Sequence, residues 1–88
     1  MWEQRFHINN WAEAIYINGR IIAYLCQTKD SYDEYFVDVF DKKGHCYKIK
    51  DKDYCVLKLK ATLRLKEFGY NLDYNKLLKQ VSYRWRFI

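Results

Sequence analysis

Proline is absent from the 88-residue sequence, and glycine, methionine and histidine number only three, one and two. Gly19, Gly44 and Gly69 stand far apart, so no glycine-rich loop offers a cradle for phosphate. No linker, repeat or low-complexity stretch divides the chain. No apolar run approaches the roughly 18 residues that span a bilayer, and no signal-peptide pattern opens the chain. These absences predict one compact domain over residues 1–88, soluble and cytoplasmic (in the host cytoplasm if phage-encoded), with no membrane partner. Cys26, Cys46 and Cys55 are spaced by 20 and 9 residues, which leaves no zinc-knuckle pair. They read as small thiols in a reducing compartment. No metal and no cofactor is expected.

Half of the residues are apolar and 31% are charged, which excludes a disordered chain of low hydrophobicity. A chain this short buries only about 60–65% of its unfolded surface, so its core is small. Against that small core stand nine Tyr, five Phe and three Trp. The net charge is +5 and is unevenly placed. Residues 1–44 hold five basic and seven acidic side chains, and residues 45–88 hold eleven and four. Abundant Lys, Tyr, Asn and Ile without proline match an AT-rich coding sequence of the kind phages and mobile elements carry.

Asn18-Gly19 between the β-branched runs Ile15–Ile17 and Arg20–Ile22 is a type I′ hairpin signature, since both turn residues must accept positive φ. Its strands are expected over about 13–17 and 20–27. A second hairpin follows, with Tyr35, Val37 and Val39 on one face and Phe36, Asp38 and Phe40 on the other. Asp41–Gly44 makes its turn, and residues 46–50 return with Tyr47 and Ile49 on one face. Trp2, Gln4, Phe6 and Ile8 also alternate with polar residues, the pattern of an edge strand.

Residues 54–68 carry two conflicting signals. Leu57, Leu59, Ala61, Leu63 and Leu65 alternate strictly with polar residues, as in a strand. The residue types are helix formers, Asp51 or Asp53 can cap the start, and Gly69 stands where a helix C′ glycine belongs. Helix is preferred, with Tyr54, Leu57, Ala61, Leu65 and Phe68 as its apolar stripe. A last helix follows from Tyr74, Leu77, Leu78, Val81 and Trp85, capped by Asp73 or Asn71. The alternating end, residues 83–88, also reads as a short strand. The expected fold is α+β: an antiparallel four-stranded sheet of two hairpins, then two helices packed on one face as a two-layer sandwich.

Catalytic constellations are weak. Asp41-Lys42-Lys43, with Asp33 or Asp38 upstream, matches the D-x-K fragment of a metal-dependent nuclease, but the fragment falls in a turn. His7 and His45 could serve a ribonuclease toxin, yet no partner is tied to either by spacing. No catalytic residue is assigned, and the chain is read as a non-enzyme.

Two binding signals remain. Lys76, Lys79, Tyr83 and Arg86 share an arc opposite the apolar stripe of the last helix, and Lys58, Thr62 and Lys66 form a row on the preceding one. Such rows suit the phosphates of DNA or RNA, although amphipathic helices commonly show lysine to water for solubility alone. The aromatic surplus is the second signal. Phe36, Phe40, Tyr16, Tyr24 and Tyr32 are the candidate protein-interface residues, set against the plainer reading of a two-sided core and ordinary surface tyrosines. The leading expectation is a binding protein that docks on and inhibits a host protein or nucleoprotein machine, as an anti-defence factor does. A nucleic-acid binder using the helical rows is the alternative, and a small nuclease or toxin the third. Self-association as a homodimer fits the same aromatic surplus. No residue-level motif ties the chain to a known family.

Overall fold

The computed structural model describes residues 2–7 and 10–83, without the side chains of 5–7, 10–11 and 80–83. Five strands precede two helices: β1 Glu3–His7, β2 Asn10–Ile17, β3 Arg20–Cys26, β4 Tyr35–Phe40, β5 Cys46–Asp51, α1 Tyr54–Glu67 and α2 Tyr74–Tyr83. The strands form one antiparallel meander in sequence order. The α+β sandwich stands, with five strands where two hairpins alone give four. The extra one is β1, whose Glu3 and Arg5 pair with Ala14 and Ala12 of β2.

The β2–β3 turn forms as its sequence requires, with Asn18 at φ 52 and Gly19 at φ 77. Beyond it the register slips at Ile15/Tyr16, so that Ala23 pairs with Ile15 but Ile21 with Tyr16. Ile22 is the extra residue, and a bulge turns consecutive side chains to the same side. Ile22 and Ala23 are accordingly both buried in the core.

Residues 54–68 resolve as helix. Asp53 Oδ1 accepts from the amides of Cys55 and Val56 at 2.8 and 3.1 Å. At the other end Gly69 takes φ 84, and the amides of Gly69 and Tyr70 donate to the carbonyls of Lys66 and Leu65. That pair of bonds is a Schellman closure, satisfying carbonyls the helix itself leaves free. The predicted stripe is the buried one: Leu57, Ala61 and Leu65 pack with Val37, Val39 and Leu25, flanked by Tyr54 and Phe68. Burying each leucine contributes about 2–3 kcal/mol of transfer free energy.

Helix α1 lies against β4 and β5, and α2 packs on α1. Edge-to-face rings of Tyr35 and Tyr54, 5.1 Å apart, tie β4 to the first turn of α1. Asp73 caps α2, its carboxylate accepting from Lys76 N at 3.2 Å, and Leu77 joins the core. Trp85 and the alternative strand over 83–88 fall outside the described residues, apart from the helical backbone of Tyr83. Among the described residues no helix is long and apolar enough to cross a membrane.

Candidate functional site

Directly cross-paired residues share a face of a sheet. Val37 and Val39 are buried with α1, so Phe36, Asp38 and Phe40 face away from the helices. Tyr24 is opposite Asp38, Ala14 opposite Tyr24, and Tyr16 two residues beyond Ala14, which places all of them on that same face. The structure therefore brings Tyr16, Tyr24, Phe36 and Phe40 together around Asp38, all half-buried. Ala12 and Ala14 lie among them and are wholly screened from water. Tyr32 stands apart in the β3–β4 loop, 75% exposed, with Lys50 Nζ 5.8 Å above its ring.

Strand β5 borders this face with Cys46, Lys48 and Lys50, opposite Phe40, Asp38 and Phe36. Lys48 Nζ lies 4.5 Å from the centre of the Phe36 ring and 3.9 Å from Asp38 Oδ1. That distance is too long for a hydrogen bond. Asp38 Oδ1 is screened from water and takes no hydrogen bond. Burial, then the charges of Cys26, Tyr16 and Asp38, pushes the Tyr24 hydroxyl above its ordinary value. Burial and then the Asp38 charge likewise push the Cys46 thiol up.

The helical rows fare differently. Lys58 does not face solvent: it pairs with Glu13 of β2, both side chains being nearly nine-tenths buried, and lies 5.6 Å above the Trp2 ring. Glu13 also accepts from the hydroxyl of Tyr54 at 2.8 Å. Thr62 is fully buried and donates to the carbonyl of Lys58. Because α1 is contacted by both the sheet and α2, its buried arc is wider than one apolar stripe, and Lys58 and Thr62 of the row are drawn inside it. Lys66, Lys76 and Lys79 are exposed. Lys66 Nζ lies 5.9 Å from the Tyr74 ring, and Lys76 lies 4.0 Å from Asp73. The Tyr83 side chain and Arg86 lie outside the described residues.

The carboxylate of the D-x-K fragment is occupied in building its own turn. Asp41 Oδ1 accepts from the amides of Lys43 and His45, both at 2.9 Å, and Oδ2 lies 3.3 Å from His45 Nδ1. Asp33 pairs with Lys29 at 3.2 Å. Among the described residues no three His, Cys, Asp or Glu side chains gather where a metal ion could be held. The three cysteines are free thiols, with Cys55 buried.

No family model, curated protein or solved structure matches this chain.

Proposed function

We propose that the chain is a non-enzymatic binding protein that docks on a protein target through the helix-free face of its sheet and inhibits by occupying it. The observation that carries this reading is the cluster of Tyr16, Tyr24, Phe36 and Phe40 around an Asp38 oxygen that lacks a donor. Aromatic side chains supply large contact area at little rotamer cost. A screened carboxylate oxygen without a hydrogen bond carries a desolvation penalty, which a partner's arginine or backbone N–H relieves on docking. The favoured partner is therefore a protein surface that presents a cationic donor between aromatic contacts. An AT-rich bias supports a phage or mobile-element origin, and with it a target in the host's defence machinery.

The test compares the wild type with Phe36→Ser/Phe40→Ser in a pull-down from host lysate, with and without nuclease. A protein captured regardless of nuclease and lost with the double variant supports docking by this face. The expected loss is roughly 2–4 kcal/mol in total, as for central aromatic anchors, with little change in melting temperature. A partner released by nuclease favours the nucleic-acid reading instead. A sharp fall in melting temperature with the partner retained refutes the assignment of this face.

A further inference from the structure

One end of the sandwich gathers three connections: the β2–β3 turn, the β4–β5 turn and the link from α1 to α2. Between them lies a cleft of about 290 Å³ lined by Ile17, Asn18, Arg20, Ile22, Lys42 and Tyr70. Arg20 and Lys42 reach it from different elements, and neither pairs with a carboxylate among the described residues. The nearby Asp41 carboxylate forms no ion pair with either, its Oδ1 accepting from the amides of Lys43 and His45.

The two cationic ends each lie beside a glycine. A Cβ on Gly44 would stand 3.0 Å from Arg20 Nη2, and one on Gly69 3.6 Å from Lys42 Nζ. Both cationic ends thus lie against bare backbone at the rim of the cleft. Its floor is apolar, since Ile22 is buried and Ile17 packs against the core. The wall is the Tyr70 ring, pinned by its hydroxyl donating to the carbonyl of Phe40 at 2.6 Å.

The geometry points to a binding site for a small phosphomonoester, such as a sugar phosphate or mononucleotide. Arg20 and Lys42 hold its phosphate, and Ile17 and Tyr70 cover its organic part over the buried Ile22. An arginine fork presents paired donors to a phosphate while lysine adds a mobile point charge. An apolar floor with a few convergent polar groups is the usual form of a small-ligand site. This site is separate from the aromatic face and does not depend on the docking proposal.

Amide NMR titration of the full chain at constant ionic strength tests it, using ribose 5-phosphate, AMP, adenosine and inorganic phosphate. The two esters should saturate with dissociation constants of about 0.1–1 mM, shifting residues 18–22, 42–44 and 70. Adenosine should bind at least tenfold more weakly, and inorganic phosphate several-fold more weakly, than AMP. Arg20→Gln and Lys42→Gln should each weaken AMP binding by about tenfold. Both side chains are exposed, so the melting temperatures should stay within a few degrees of the wild type. No saturation by either ester, inorganic phosphate as tight as AMP, or affinities untouched by both substitutions would overturn the proposal.

Discussion

Lys58→Met should destabilise the protein far more than Lys60→Met, although the two lysines lie two residues apart on one helix. Lys58 and Glu13 are 11% and 12% exposed in their side chains, whereas Lys60 and its partner Asp51 are 50% and 21% exposed. Removing one member of a buried pair costs about 3–5 kcal/mol because the other charge is left uncompensated. Here Glu13 keeps the Tyr54 hydroxyl at 2.8 Å and a weak contact from the Gln27 amide at 3.4 Å. Those donors and residual water lower the expected cost to about 2–3 kcal/mol. The exposed Lys60–Asp51 pair should be worth no more than about 1 kcal/mol despite its 2.7 Å separation. For a domain of this size each kcal/mol moves the melting temperature by about 4–8 °C. Lys58→Met should therefore fall by about 10–20 °C and Lys60→Met by less than about 8 °C. Adding Glu13→Gln to Lys58→Met removes the stranded charge and should recover about half of the loss. Thermal and urea denaturation followed by circular dichroism compares the three variants with the wild type. Equal losses in Lys58→Met and Lys60→Met would show that Lys58 stands in water, and the basic row on α1 would be available to phosphates after all.

The remaining expectations are local. Gly69→Ala should cost about 1–2 kcal/mol from its φ of 84 alone, because the new methyl would meet Lys42 at an ordinary 3.6 Å; Gly69→Asn should cost about half as much. A guanidinium melt of both variants checks the order. Three carboxyls are held below their ordinary 3.8: Asp30 by the Glu34 amide and then Lys50, Asp51 by Lys60 and then the Asp53 amide, and Asp41, where burial pulls upward but the His45 and Lys43 amides win. Depressed native values mean that the unfolded chain binds protons first, so their stabilisation is present above pH 3.8 and is lost as pH falls through the lower native values. Melts from pH 6 to 2 should show that acid loss, and it should shrink in Asp51→Asn. Cys46 is exposed as a residue, but partial desolvation of its thiol and then the Asp38 charge raise it, so alkylation near pH 8 should be slower than for a free cysteine and faster in Asp38→Asn.

Residues whose conformation is decided by their immediate neighbours were legible without the fold. Asn18-Gly19 needs only its own two positive φ angles to close a hairpin, and Asp53 and Gly69 need only the backbone of the turn beside them. Those two caps, with helix-forming residue types, outweigh the strict alternation over 57–66, because alternation records only which residues are apolar and not what covers them. The second face of the sheet followed from the same logic: once Val37 and Val39 go to the helices, Phe36, Asp38 and Phe40 must turn away.

Contacts between distant parts of the chain were decided by the tertiary structure alone. Glu13 meets Lys58 across 45 residues, and no spacing within either segment announces the pair. The slip that buries both Ile22 and Ala23 depends on which strand lies beside them, as does the pairing of β1 with β2. Arg20 and Lys42 are unremarkable turn residues in sequence, and they share a cleft only because a meander returns alternate turns to the same end of the sheet. Turn and cap geometry is a short-range steric and hydrogen-bonding matter, written into a few adjacent residues. Which charges meet, and which cations are left without a partner, is settled when separated strands and helices pack together.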